Sequence, residues 1–184
     1  ANGVTGLTSG TSGQFLKFTG STTLASASGG ITMADQWRVT NNQTGNVNPI
    51  TGTWERNDRQ FSYIGSGMTE SSGVFSFPST GIYQITFQAT GYSSINERYI
   101  EILITGTTDN FSSNATIASQ YESIDIDESS ATYFGSSCTA VKDVTDVSND
   151  KVRFRISREN SSGIVNGNSG HNETYATFIR LGDT

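Results

Sequence analysis

The sequence SGVFSFPSTGIYQITF, residues 72–87, decides the fold class. Val74, Phe75 and Phe77 favour a β-strand, and residues 78–81 are the kinds that form turns. Beyond the turn, large apolar residues alternate with Gln and Thr, which is the period-two pattern of a strand with one buried face. The stretch therefore predicts a strand, a turn and a second strand.

Similar short β-patterns fill most of the remaining chain. Further strands are predicted at residues 36–40, 51–56, 61–64, 98–104, 115–122, 132–141, 151–157 and 174–181. An apolar period of 3.6 residues is missing, and Gly or Ser interrupts every long window, so no helix is predicted. Many short strands with regular turn signals indicate an all-β sandwich or jelly roll.

Composition divides the chain into two regions, residues 1–30 and residues 31–184. The first is dominated by Gly, Ser and Thr, and its large apolar side chains include Phe15, Leu16 and Phe18. Alone, such a segment cannot bury enough apolar surface to offset its ordering entropy. We predict an N-terminal arm or stalk that attaches through these three residues, with a flexible linker as the alternative.

Charge and cysteine content exclude several functional classes. The net charge is −6 and no basic run occurs, which argues against nucleic-acid binding. No apolar stretch approaches the length of a membrane span, and no signal peptide is visible.

Cys138 is the single cysteine, so an intrachain disulfide is impossible. It is predicted to be an inert buried thiol, with a bridge between subunits as the alternative.

Four motifs resemble those of C1q/TNF-like domains, in the same order along the chain. They are the Gly-x-Phe arm with its Pro-x-x-Gly-x-Tyr turn at 73–83, the strand ending in Gly at 99–106, the Asp-x-Val turn at 149–154 and the final strand at 175–181. Segments 34–38, 48–50 and 54–56 look more like C1q-like domains of bacteriophage structural proteins. The tract at 10–16 resembles the stalks of phage tail fibres.

This resemblance implies a homotrimer of ten-strand jelly-roll subunits. Threefold packing predicts large apolar side chains near the axis, and we place Tyr83, Phe87, Phe178 and Ile179 there. Each such burial contributes about 1.5–3 kcal/mol, from which association costs subtract.

Few residues offer chemistry. His171 is the only histidine and lies in a polar loop; without a nucleophile motif, a catalytic role is not expected. Asp125, Asp127 and Glu128 form an acidic cluster that is most simply solvated loop charge. Calcium binding and glycoside hydrolysis are alternatives. No other cofactor is expected.

Polar loops and aromatic residues leave a binding role open. The loops at 41–48, 107–113 and 159–172 are rich in Asn, Ser and Gly, and rigid β-scaffolds commonly carry function on such loops. Tyr92, Phe111 and Tyr121 are candidates for stacking on sugar rings. Five Asn-x-Ser/Thr sequons are expected by chance in a chain of this composition.

The sequence therefore predicts a non-enzymatic phage virion surface protein. One role is a trimeric tail-fibre or spike head that binds a host-surface glycan or protein. The other is a capsid decoration trimer that cements the head. In either role, residues 1–30 would contact other virion proteins. A secreted C1q-like lectin and a depolymerase are the alternatives from other classes.

Overall fold

The computed structural model describes residues 14–18, 24–126 and 130–184. The chain divides into two compact units, Ala1–Ile31 and Thr32–Thr184. In the first unit, strand β1 (Gln14–Phe18) pairs antiparallel with β2 (Leu24–Ser28).

The second unit is antiparallel throughout, and the residues described in it form no helix. Its strands are β3 (Ala34–Val39), β4 (Gln43–Thr44), β5 (Trp54–Arg56), β6 (Tyr63–Ile64), β7 (Thr69–Ser71), β8 (Val74–Ser76), β9 (Gly81–Ser93), β10 (Glu97–Thr107), β11 (Ala115–Ile124), β12 (Thr132–Val144), β13 (Lys151–Arg158), β14 (Ile164–Val165) and β15 (Tyr175–Gly182). The all-β prediction is confirmed. Within the described part of the chain, no helix has the length and apolar character needed to cross a membrane.

The strands of the second unit form a two-layer sandwich. The smaller layer has the strand order β11-β10-β13-β8-β7. The larger layer runs β4-β14-β9-β15-β3-β5, with β12 paired to β9 and β6 paired to β3. Each layer therefore has one face towards the core and one face towards solvent, which is the arrangement of a jelly roll.

The turn within residues 72–87 connects the two layers. Strand β8 pairs with β7 and β13 in the smaller layer, whereas β9 pairs with β12 and β15 in the larger one. The Tyr83 hydroxyl donates a hydrogen bond to the Ser79 carbonyl at 2.9 Å, and the Tyr83 ring packs against Phe77 with centroids 4.7 Å apart. These contacts hold the crossover turn in place.

The hairpin in this region is formed by β7 and β8. Ser71 pairs with Val74, so the loop consists of Ser72 and Gly73. Both residues have positive φ, 54° and 80°. Two consecutive positive φ angles fit a type I′ turn, whose twist matches that of paired strands.

An aromatic cluster between the layers forms the centre of the core. Phe154 of β13 lies 4.8 Å from Phe87 and 6.0 Å from Phe178, measured between ring centroids. Phe75 completes the cluster at 5.3 Å from Phe178. Such pairs add about 0.5–1.5 kcal/mol each beyond their buried area.

This cluster corrects part of the predicted trimer axis. Tyr83, Phe87 and Phe178 have 0% exposed surface within one chain, so they cannot contact a second copy. The prediction was wrong for these three because the largest apolar side chains fill the space between the two layers. Ile179 is half-buried and lies on the opposite side of β15 from Phe178.

Cys138 also points into the core of the subunit. Its side chain is buried, and the thiol lies 3.9 Å from the Ile102 carbonyl. Burial raises the pKa of the thiol to about 11. A core-facing thiol of this kind is inert at neutral pH, which agrees with the first prediction and not with a bridge between subunits.

Candidate functional site: two solvent-facing sides of the sandwich

The solvent side of the larger layer carries the first candidate site, which we call the neutral face. Its residues alternate with buried ones along three neighbouring strands. They are Gln84, Thr86, Gln88, Thr90 and Tyr92 of β9, Tyr133, Ser137, Thr139 and Val141 of β12, and Tyr175, Thr177 and Ile179 of β15. None of these side chains is charged.

Strand register aligns threonines across the middle of the neutral face. Thr86 pairs with Thr139 on one side and with Thr177 on the other. The hydroxyl oxygens of Thr86 and Thr139 are 3.0 Å apart, and the amide of Gln36 donates to the Thr177 hydroxyl at 3.0 Å. The three hydroxyls therefore have hydrogen-bond partners within the layer, and the surface they present is uncharged.

Tyrosines flank this row. The Tyr175 hydroxyl donates to the Gln88 side chain at 2.9 Å. At one end of the face, Tyr92 and Tyr133 pair in register with ring centroids 5.5 Å apart. Tyr133 is 71% exposed in the single chain and is thus available for contact.

Charged side chains begin only at the margins of the neutral face. Arg38, next to Tyr175 in register, is buried beneath ion pairs with Glu55 at 2.9 Å and Asp58 at 2.5 Å. Asp143 follows Val141 at the end of β12. Depletion of charge and enrichment in tyrosine characterise the centre of a protein–protein interface, with charges at its rim. The neutral face has this composition.

The solvent side of the smaller layer is different, and we call it the basic face. Its centre is formed by Lys151, Arg153 and Arg155, which alternate along β13 with buried Val152, Phe154 and Ile156. The predicted alternation in this strand is confirmed. A functional role for these basic residues was not predicted, because the sequence does not show which charges they face.

A loop with its own hydrogen-bond network covers one end of the basic face. The Asp109 carboxylate accepts hydrogen bonds from the Thr107 hydroxyl at 2.6 Å and the Ser113 amide at 2.9 Å. The Ser113 and Thr107 hydroxyls, together with the Ser113 amide, lower the pKa of Asp109 to about 2. Asn110 and Phe111 both have positive φ, 54° and 64°. Such strain typically costs about 1–3 kcal/mol per residue and occurs at functional sites.

The strained loop places Phe111 over a cation. The guanidinium carbon of Arg153 lies 4.4 Å from the centroid of the Phe111 ring. Of the three predicted sugar-stacking aromatics, only Phe111 lies in a loop. Tyr92 belongs to β9 on the neutral face, and Tyr121 belongs to β11, where it is 57% exposed.

The predicted acidic cluster is only partly within the described residues. Asp125 is exposed, whereas Asp127 and Glu128 lie outside the residues that the structure describes. Within residues 14–18, 24–126 and 130–184, no three His, Cys, Asp or Glu side chains converge as a metal site would require. Calcium binding by the cluster stays an untested prediction.

His171 lies in an exposed loop, as the sequence indicated. Its Nε2 is 3.0 Å from a Glu173 oxygen and 3.5 Å from the Asn168 amide nitrogen. These contacts connect His171 to residues before and after it in the same loop.

In the N-terminal unit, β1 presents large apolar side chains to solvent. Phe15 is 69% exposed and Leu16 is 61% exposed. Phe18 ends the strand. These are the residues predicted to attach the arm to another protein.

Comparison with solved structures supports the predicted architecture. The chain is similar to murine APRIL, crystallised at pH 8.5, with 15% identity and a TM-score of 0.55 over 81% of this chain and 98% of that one. It is also similar to Eiger TNF from S. frugiperda, with 12% identity and a TM-score of 0.58 over 82% of this chain and 93% of that one. The fold is a TNF-like jelly roll. No family model and no curated protein matches the chain.

Proposed function

We propose that the chain is the non-enzymatic subunit of a homotrimer, in which three copies pack their neutral faces around a common axis. The single observation that carries this proposal is the charge-free neutral face, with Tyr133 at 71% and Val141 at 64% exposure in the single chain. The solvent face of an antiparallel sheet is usually polar, and the basic face of the same molecule carries charge. A face without charge is therefore suited to burial.

Threefold symmetry is favoured by the fold. The sequence motifs resemble those of C1q/TNF-like domains, a family that builds compact trimers, and the jelly-roll architecture agrees with that resemblance. Ile179 is the one predicted axis residue that stays on a surface available to other copies. It shares a cross-strand row with Gln84 and Val141.

The molar mass in solution tests this proposal. Light scattering behind size exclusion, repeated over a wide range of dilution, is expected to give three times the mass of one chain. The mass of one chain at working concentrations would refute the trimer, and twice that mass would refute the threefold arrangement.

We propose further that the trimer is a surface protein of a phage virion, a tail-fibre or spike head that binds a host-surface receptor. Support comes from the resemblance of segments 34–38, 48–50 and 54–56 to phage structural proteins. Exposed Phe15 and Leu16 on β1 supply a contact to other virion proteins. The alternative role is a capsid decoration trimer, for which the same two residues would dock onto coat protein.

Copy number separates these two roles. Purified particles that carry only a few trimers each would support the fibre head. A band whose intensity is comparable to that of the coat protein would support capsid decoration. Absence of the chain from purified particles would refute both.

The absence of catalysis is part of the proposal. Its support is the position of the sole histidine, His171, which is exposed and paired with Glu173. Incubation of the protein with host polysaccharide should release no sugar, and release that follows the protein through purification would contradict this.

A further inference from the structure

Three buried polar atoms without a hydrogen-bond partner lie on the basic face. They are Oγ1 of Thr105 and the Nε atoms of Arg153 and Arg155. Arg153 pairs in register with Thr105, and Arg155 pairs with Leu103, so the atoms lie in two neighbouring cross-strand rows. All three groups can donate a hydrogen bond, and buried donors are normally satisfied.

The two arginines are also exceptional among the arginines of the chain. Every other arginine lies within 4.0 Å of a carboxylate: Arg38, Arg56, Arg59, Arg98, Arg158 and Arg180. Among the described residues, Arg153 and Arg155 have no such partner, although the chain has a net charge of −6. Burial, together with the charge of Arg155, lowers the pKa of Arg153.

Two carboxylates beside the basic face, those of Asp109 and Glu101, are already engaged. Asp109 is held by Thr107 and Ser113. Glu101, in the row next to that of Arg155, hydrogen-bonds to the Tyr121 hydroxyl and raises the pKa of that tyrosine. Lys151 donates to the Val147 carbonyl at 2.7 Å. The Nε atoms themselves are closed to a ligand by burial, but the terminal nitrogens of Arg153 and Arg155 are neither hydrogen-bonded to a described residue nor among the buried unpaired atoms. These terminal nitrogens therefore stay available to an external anion.

The geometry points to an oxyanion site at which the guanidinium groups of Arg153 and Arg155 bind the carboxylate or sulfate group of an acidic polysaccharide. Guanidinium groups match the planar, multiple acceptors of such anions. Phe111 stacks on the Arg153 guanidinium and holds it in place, and exposed Tyr121 on β11 offers an aromatic face to a neighbouring sugar ring. A nucleic acid is disfavoured because the cations described at the centre of this face are Lys151, Arg153 and Arg155, on a protein with a net charge of −6.

This site deepens the proposed function, and its biological role rests on the receptor-binding part of that proposal. It lies within one copy, on the opposite side of the sandwich from the neutral face. Binding and assembly can therefore be measured separately on the same sample.

Three polymers with one backbone test the site: dextran, carboxymethyl dextran and dextran sulfate, titrated against the full chain at one low ionic strength. The wild-type protein should bind carboxymethyl dextran, dextran sulfate or both, and should not bind uncharged dextran. Arg155→Gln should weaken that binding by about ten- to hundredfold, since a hydrogen bond to a charged group is lost. Arg155→Lys should restore part of it.

Arg59→Gln is the matched control, because it removes the same charge from a loop on another part of the molecule. It should leave binding unchanged. Arg155→Gln keeps the contact between Arg153 and Phe111, and its melting temperature and mass are checked on the same sample. Equal weakening by both variants, or equal affinity for all three polymers, would overturn the site. Binding of single-stranded DNA with neither charged dextran bound would overturn the polysaccharide assignment.

Discussion

The neutral face and the basic face lie on opposite sides of one sandwich and differ in the charge of their solvent-facing side chains. Both are built from strands whose alternate residues point to solvent. On the neutral face those residues are Thr, Gln, Ser, Tyr, Val and Ile, whereas at the centre of the basic face they are Lys and Arg. The fold requires only that one side of each strand be apolar, so the other side is free to be adapted to assembly or to ligand binding.

The largest effect is expected when a charge is placed on the neutral face. Ser137→Glu would bring one carboxylate per copy into the proposed interface, and like charges across an interface cost several kcal/mol. The trimer should dissociate into folded single chains, as measured by light scattering and circular dichroism.

Ser76→Glu is the matched control on the other layer. Ser76 lies on β8 and pairs in register with Lys151 of the basic face. This variant should stay trimeric. Dissociation of both variants, or of neither, would remove the difference between the two faces.

A smaller effect is expected where a charge is already buried and satisfied. Arg158 and Glu97 are both fully buried and form a two-point ion pair, with Arg158 Nε donating to Glu97 at 2.9 Å. Glu97→Ala leaves the arginine buried without its partner, which costs about 3–5 kcal/mol of unfolding free energy. Denaturant titration of the protein measures this loss.

Glu159→Ala provides the comparison, because Glu159 pairs with Arg98, whose side chain is 84% exposed. Exposed pairs contribute little, so this variant should unfold close to the wild type. Equal losses of unfolding free energy in Glu97→Ala and Glu159→Ala would show that burial does not determine how much an ion pair contributes to stability.

Trimming an apolar side chain should give a still smaller effect, again on one face only. Val141→Ala removes two methylene equivalents from the neutral face, and we expect association to weaken by about 1–2 kcal/mol per subunit. Val74→Ala makes the same change next to Arg153 and should leave association unchanged. Sedimentation equilibrium measures the association of both variants. A larger loss of association in Val74→Ala than in Val141→Ala would place the interface on the smaller layer.

The smallest effect concerns the loop that presents Phe111. The folded-state pKa of Asp109 is lowered from 3.8 to about 2, so its carboxylate stabilises the folded protein above pH 3.8. That contribution is lost as the pH falls towards 2. The difference in melting temperature between wild type and Asp109→Asn should therefore shrink between these pH values. A difference in melting temperature that does not change with pH would show that the Asp109 carboxylate does not stabilise the loop.

Local sequence pattern was sufficient for the longer strands of the second unit and, in β9 and β13, for which side is buried. The short strands β4, β7 and β14 were not predicted. Tyr83, Ile85, Phe87 and Ala89 alternate with polar residues, and all four have 0% exposure. The pattern does not say which layer a strand joins. The turn before Tyr83 crosses between layers, and only the pairing with β12 and β15 shows this.

The functional faces depended on contacts between residues distant in sequence. The prediction placed the largest apolar residues at a trimer axis, but in a two-layer sandwich those residues fill the interior first. The neutral face appears only when β9, β12 and β15 are aligned. Likewise, the availability of Arg153 and Arg155 depends on where the carboxylates of other strands lie, which spacing along one strand cannot reveal.

Hydroxyl-radical footprinting of the native assembly can show which layer is buried between subunits, because each layer carries an exposed tyrosine. Tyr133 on the larger layer is 71% exposed in the single chain, and Tyr121 on the smaller layer is 57% exposed. We expect Tyr133 to be protected in the wild-type assembly and to become reactive in Ser137→Glu, while Tyr121 reacts equally in both. A reactive Tyr133 together with a protected Tyr121 in the wild-type assembly would contradict this expectation.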